Sequence, residues 1–386
     1  MTQIINEIKI IKEKKLNSCE INCVELIKYK NKDYIIIGLT DFEEKSSIQI
    51  YNSIDLELVG QNDTELGDDE INDIKQMFNQ NILVCGHRLR IFTFYLDNNI
   101  LNIILVQLIE FPKINNKYNI MRGRFFKKAF VLEQNLYREK TDKIAPEGEK
   151  IIVNGSIGIF IYKRNDNNEK EDNLTINHLE KSEEINQLNI NDFIEKWNNN
   201  PYIFKEQISF TINCDVIQIN YRYLAVTRGY GYVCLLDIET KGLITIFEAK
   251  TTSTADRVIF MLNKDIICVG GDDAISLISI KDFDFVLLSV IKPKFQITEI
   301  CIMDEFNILI AMRSKSYDSE EYLLHYKLDS YIEKLTKKII YNITQVSSEL
   351  TSKNNSNLTM VPINKTKFVT IVENKYIQIR EINQSI

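Results

Sequence analysis

The residues that could carry chemistry are few and scattered. The three histidines, His87, His178 and His325, lie far apart along the chain. A structural zinc site draws on four nitrogen or sulfur donors, usually as two close pairs. Cys19 and Cys23 are the one near pair, and on a strand they would share a face, but no second pair completes a tetrahedral set. A nucleophile elbow, G-x-S-x-G, is absent; Gly155-Ser156-Ile157-Gly158 reads as a hairpin in which small residues serve the turn. Gly229-Tyr230-Gly231 is similar to a fragment of a phosphate loop, yet it joins two strand-like runs and opens no helix. Asp272-Asp273, after Gly270-Gly271, imitates a metal-binding or acidic loop, and a hairpin turn accounts for it because Gly and Asp tolerate left-handed backbone. On this reading the chain has no catalytic residues, no metal site and no cofactor.

Two surface features invite contact with a partner. Arg122, Arg124, Lys127 and Lys128 are interleaved with Phe125 and Phe126. Strand alternation would put Arg124 and Phe126 on one face and Phe125 and Lys127 on the other. Such a stretch suits an acidic peptide, a phosphoinositide headgroup or RNA, or is simply a strand with solvated lysines. Trp197, the single tryptophan, stands with Phe193 and Ile194 at helical spacing. That face either packs back on the protein's own strands or is presented to a partner. Asp68-Asp69-Glu70 reads as a solvated acidic loop.

Composition narrows the class. With 44% hydrophobic and 26% charged residues over 386 positions, the chain can fold and bury a sizeable core. A net charge of −7 argues against a general nucleic-acid binder, though a local basic patch can still act. Abundant Ile, Asn, Lys and Tyr beside 13 Gly and 5 Pro read as a bias of nucleotide composition. Charged residues interrupt the first apolar residues, as no secretory leader allows. No apolar run reaches the roughly 20 residues of a membrane span; the longest candidate, 100–111, carries Asn102 and Gln107. The seven cysteines are an odd number, and Cys85, Cys234, Cys268 and Cys301 sit inside apolar runs. They read as reduced core thiols of a soluble, cytoplasmic protein.

The elements that would position these residues are short strands. In 265–291, three apolar runs are separated by Gly270–Asp273 and Lys281–Asp284, and 257–262 adds a fourth before them. Four short strands joined by tight turns make an antiparallel meander. The same rhythm divides the chain into units at 19–60, 70–111, 118–178, 207–248, 254–291, 296–341 and 355–382. The third is irregular, with 174–178 as its fourth strand, and 164–200 is a polar insertion with a short helix over 188–197. In the sixth unit, 332–341 has a pattern that also suits a helix. The last unit is one strand short, while residues 4–12 form an orphan strand that would complete it and cover its edge. Aligning third strands brings Tyr51, Phe92, Tyr162, Leu236, Ile278, Tyr326 and Arg380 into register, with wide spacings only at the third unit and the insertion.

The third strand and following turn resemble those of the WD-repeat family, best in 46–60, 232–247 and 270–288. Leu236-Asp237 occupies the place of that family's Trp-Asp pair, and Tyr51-Asn52 imitates it. Ile278-Ser279 and Arg380-Glu381 depart from it, and Gly86-His87 falls in a different hairpin from the family's Gly-His. The resemblance implies an all-β, seven-bladed β-propeller of four-stranded antiparallel blades, a single domain closed by the N-terminal strand pairing in the last blade. It further implies a non-enzymatic scaffold with protein partners in a multisubunit intracellular assembly. The alternatives are a propeller enzyme or small-molecule sensor using loops at the channel mouth, or a propeller that binds an anionic surface.

Overall fold

A computed structural model describes residues 7–383, apart from residues 18, 221 and 305 and the segments 64–65, 67–68, 78–80, 98–99, 110–125, 133–149, 156–157, 165–201, 209–214, 229–230, 250–257, 272–273, 293–295, 314–319, 333–338 and 353–357. The described residues form seven four-stranded antiparallel sheets. Strand β1 (Glu7–Lys15) comes first in the chain and belongs to the last sheet. The first sheet is β2 (Cys19–Tyr29), β3 (Lys32–Asp41), β4 (Ser46–Asn52) and β5 (Leu58–Asn62), paired in that order. The second is β6 (Asp73–Gln76), β7 (Asn81–Cys85), β8 (Leu89–Asp97) and β9 (Ile100–Ile109). The third is β10 (Phe126–Leu132), β11 (Lys150–Gly155), β12 (Gly158–Arg164) and β13 (Tyr202–Ile208). The fourth is β14 (Val216–Gln218), β15 (Tyr223–Arg228), β16 (Tyr232–Asp237) and β17 (Leu243–Glu248). The fifth is β18 (Val258–Asn263), β19 (Ile266–Gly270), β20 (Ile275–Ser279) and β21 (Val286–Ile291). The sixth is β22 (Gln296–Asp304), β23 (Asn307–Arg313), β24 (Glu321–Ile332) and β25 (Ile339–Ser352). The seventh is β26 (Thr359–Pro362), β27 (Lys367–Val372) and β28 (Tyr376–Asn383), with β1 outermost against β28.

One register feature recurs in all seven sheets. Where the third strand meets the outer one, pairing steps over one residue of the outer strand. Ile50 pairs with Gly60 and Tyr51 with Leu58, leaving Val59 as the extra residue. The same step leaves out Val106, Lys205, Ile244, Leu288 and Val346 in the next five sheets. In the last sheet it leaves out Ile11, between Ile10↔Arg380 and Lys12↔Ile379. The third-strand residue on the C-terminal side of each step is Tyr51, Phe92, Tyr162, Leu236, Ile278, Tyr326 or Arg380, the set aligned from sequence. All seven are buried. Each sheet therefore carries a β-bulge at one repeat position, which adds local right-handed twist.

Other bulges explain where the expected pattern was hard to see. In β2 the register steps over Asn22, so Ile21, Cys23 and Val24 are all buried and no strict alternation survives. In the third sheet the outer strand is Tyr202–Ile208, not 174–178, which lie outside the described residues. Both segments are short and polar-interleaved in sequence, and pairing to β12 is what shows Tyr202–Ile208 to be a strand. In the sixth sheet β24 continues to Ile332 and the outer strand is Ile339–Ser352, extended rather than helical and later than 332–341. The long register between these two strands supplies cross-strand hydrogen bonds that outweigh a helix-compatible apolar spacing. The N-terminal strand lies at Glu7–Lys15 where 4–12 was expected.

Contacts divide the chain into two compact units, residues 18–211 and residues 1–17 with 212–386. Within the former, the first two sheets share a core of Ile27, Tyr29, Ile36, Ile50, Phe92 and Phe94, among others. Within the latter, the fourth and fifth sheets pack through Val233, Leu235, Ile267 and Val269. The fifth and sixth pack through Cys268, Leu277, Ile308 and Ile310, and the sixth and seventh through Leu309, Leu323, Met360 and Phe368.

Gly60 marks a close approach of two strands. A Cβ built on Gly60 would fall well inside van der Waals contact of the Leu101 carbonyl oxygen in β9. Both are backbone, so neither can swing aside. Gly60→Ala is expected to destabilise the chain by about 2–3 kcal/mol, in the range of overpacked cores. Thermal unfolding followed by circular dichroism checks it, with Gly242→Ala, whose added Cβ would meet only the Thr240 hydroxyl, as the mild control.

Candidate interaction surface

Of the residues singled out by sequence, Arg122, Arg124, Phe193 and Trp197 lie outside the described residues. Lys127 and Lys128 lie on β10. The pairing of β10 with β11 steps from Phe126 to Lys128, so a strict alternation does not run through Lys127. His178 is also outside, His87 is exposed and His325 is buried. Among the described residues no group of three or more His, Cys, Asp or Glu is placed to hold a metal ion. The described cysteines are free thiols, and all but Cys19 are buried. Burial pushes the Cys23, Cys85 and Cys301 thiols up, and that of Cys268 to about 12, which makes them poor nucleophiles.

The polar side chains that are buried tie turns and strands together. Asp69, read from sequence as part of a solvated loop, is instead buried beneath the β7–β8 turn. Its carboxylate accepts a hydrogen bond from the His87 amide at 2.6 Å and pairs with the buried Arg90 guanidinium. Arg90 Nη2 also donates to the Leu66 carbonyl at 3.2 Å. Gly86 is held so close to the Glu70 carbonyl that a side chain there would collide with it. The signal available in sequence was Gly86-His87 followed by Arg90, a basic residue inside an apolar strand. In the last sheet Arg380, buried completely, donates from Nε to Thr370 Oγ1 at 3.1 Å and from Nη2 to Gln378 Oε1 at 2.6 Å. His325 Nε2 lies 3.0 Å from Asn307 Oδ1, and desolvation lowers its pKa, keeping the ring neutral.

The Leu236-Asp237 pair holds another such tie. Asp237 accepts from Arg222 Nε at 3.0 Å and Nη2 at 2.6 Å, and from the Glu239 and Thr240 amides at 2.9 and 3.3 Å. The Arg222 hydrogen bond, with the two turn amides, holds the Asp237 carboxyl at about 2. The guanidinium stands 5.4 Å from the Tyr223 ring centroid, and Tyr223 meets Phe283 edge-on at 4.5 Å. Phe283 belongs to the β20–β21 turn and has φ 63, a left-handed geometry rare for an aromatic residue. Two sheets are thereby joined at their turns.

The surface most suited to contact is formed by the outer strands. β5, β9 and β21 carry no charged residue, and β17 carries only Glu248. Each is the last strand of its sheet. Leu58, Ile100, Leu108, Leu243, Ile244, Ile246 and Val286 are exposed on or beside them. Proteins that stay alone blunt such edges with lysine, proline or short strands. β1 does so, with six charged residues among nine.

No protein-family profile matches the chain, and no curated protein matches its sequence. Its structure is similar to a chain in the crystal structure of a mitotic checkpoint complex, with a TM-score of 0.59 and 8% identity over 97% of this chain and 95% of the other. This likeness is one of fold. Together with the four-stranded antiparallel sheets it is consistent with a β-propeller. No helix among the described residues is long and apolar enough to cross a membrane.

Two outcomes test the ties. Asp69→Asn leaves Arg90 buried without its counter-charge and is expected to cost about 3–5 kcal/mol in urea unfolding. Because the folded state lowers the Asp237 pKa below its ordinary value, its contribution to stability is full above about pH 4 and is lost as pH falls towards 2. Melting temperature against pH should therefore fall less steeply between pH 4 and 2 in Asp237→Asn than in the unchanged chain.

Proposed function

We propose that the protein is a non-enzymatic scaffold, a seven-bladed propeller closed by β1 in its last blade, that holds protein partners within a larger assembly. The observation that carries this is the apolar outer strands β5, β9, β17 and β21, which hold one charged residue, Glu248, between them. β9 runs for ten residues without a charge, with Ile100 and Leu108 exposed, and β17 exposes Leu243, Ile244 and Ile246. Edges of that kind favour pairing or apolar contact with another chain. The likeness in fold to a chain from a multi-component complex supports the same reading. Arg122, Arg124, Lys127, Lys128, Phe193 and Trp197 are further proposed contacts, chosen for their charge and aromatic surface.

The test is affinity purification of the tagged full-length protein from its own cells at low and moderate salt, followed by cross-linking mass spectrometry. A stoichiometric partner cross-linked beside β9, β17 or β21 is expected. Replacing Leu243, Ile244 and Ile246 together by serine should reduce its recovery at least tenfold if β17 is the contact, without lowering the melting temperature. Recovery of a lone monomer at both salt concentrations would overturn the scaffold reading.

A further inference from the structure

In every sheet but one, each strand pairs only with its neighbours in the chain. The exception is β1, held against β28 with Glu13 and Gln378 365 residues apart. Among residues 8–15 of β1 only Ile8 is buried; Lys9, Ile10, Ile11, Lys12, Glu13 and Lys15 are exposed, and Lys14 is half-buried. Leu16, buried just beyond the strand, donates its amide to the Lys375 carbonyl at 2.8 Å. The strand is therefore attached by main-chain hydrogen bonds and very little buried apolar surface, which places it among the parts of a fold that open first. Its charge keeps it soluble when it opens.

The seat it occupies is more selective than the main-chain pairing alone. Ile8 enters the cluster of Leu309, Met360, Phe368 and Ile382. Glu13 accepts a hydrogen bond from Gln378 Nε2 at 2.5 Å, and the oxygen of the same amide takes up Arg380 Nε at 3.0 Å and Nη2 at 2.6 Å. The glutamate thus answers, through one amide, a guanidinium buried in the sheet. Lys15 Nζ stands 5.4 Å from the Tyr376 ring centroid. Apolar residue, carboxylate and cation are read at fixed positions, five and then two residues apart.

We infer that this outer position of the last sheet is a strand-binding seat, filled in cis by β1 and open to an extended segment of a partner protein with the same three features: an apolar residue, a carboxylate five residues on and a cation two beyond it. Main-chain pairing supplies affinity and the three side chains supply selection, as in other cases of strand addition. The covalently attached strand competes at an effective concentration of about millimolar, so an outside segment gains access when β1 is weakened or when the partner is anchored elsewhere. The inference stands on this one sheet and is independent of the apolar outer strands, whose partners are captured by a different experiment.

Hydrogen exchange on the full-length protein comes first. The amides of β1 are expected to exchange at least tenfold faster than those of β27 in the same sheet; exchange of both at one common rate would overturn the inference. A fluorescent peptide of residues 7–17 is then titrated into full-length Ile8→Asp protein, with Glu13→Ala protein as a second acceptor should the first fail to fold. The peptide should bind at least tenfold more tightly than to the unchanged chain. Its Glu13→Ala form should bind at least fivefold more weakly, and its Ile8→Asp form should not bind. Binding that ignores these two side chains, no binding to either acceptor, or a dimer that exchanges β1 between copies would each overturn it.

Discussion

Strands buried on both faces constrain everything else in this molecule. All five residues of β7 and all five of β19 are buried, as are the central residues of β3, β23 and β27. A sheet whose inner strand is apolar on both sides cannot stand with one face in water, because each exposed apolar side chain would forfeit about 1.5–3 kcal/mol. It must be covered on both faces, and repetition of one meander supplies the cover from the chain itself. Within each compact unit the shared cores show this directly: Cys268 and Leu277 of one sheet meet Ile308 and Ile310 of the next, while Ile267 and Val269 face the sheet before.

Burial on this scale leaves polar groups to be accounted for, and the protein does so with local, dissimilar ties. Arg90 finds Asp69, Asp237 gathers Arg222 and two turn amides, and Gln76 exchanges two hydrogen bonds with the main chain of Lys28 across two packed sheets. In the WD-repeat pattern one recurrent network would serve every repeat. Here Leu236-Asp237 keeps the acidic residue, yet its partner is an arginine in a neighbouring turn. The likeness in fold therefore survives without a shared set of side chains, because sheet packing and the outer-strand bulge do not require one. This agrees with an identity of 8% beside a TM-score of 0.59.

Much of this architecture was legible in the sequence because the apolar runs are short and the breaks between them polar. Phe92, Leu236 and Arg380 could be placed at one repeat position although one is aromatic, one aliphatic and one cationic, since the run lengths around them agree. What could not be read depended on pairing. Tyr202–Ile208 is an outer strand because β12 lies beside it, and nothing local separates it from other short alternating segments. Residues 339–352 are extended because β24 offers a long edge. Asp69 was misread for a related reason: an acid between Asp68 and Glu70 looks solvated until the turn carrying His87 and Arg90 closes over it. The scarcity of glycine obscured turns as well. Nine described non-glycine residues adopt positive φ, Lys30-Asn31 and Glu373-Asn374 as hairpin pairs, where glycine would have marked the turn.

The pairing of β1 with β28 also has a meaning in time. Synthesis delivers β1 some 365 residues before β28, an interval of roughly 20–70 seconds at ordinary rates of elongation. Each other sheet has its four strands within reach soon after it is made. The last one must wait, with its outermost strand already made and nothing to pair with. A strand rich in isoleucine alone would be a hazard during that wait; one written EIKIIKEKK is not. The composition of β1 is thus suited to the wait as much as to the folded state, and the last sheet is completed by a strand made long before its neighbours.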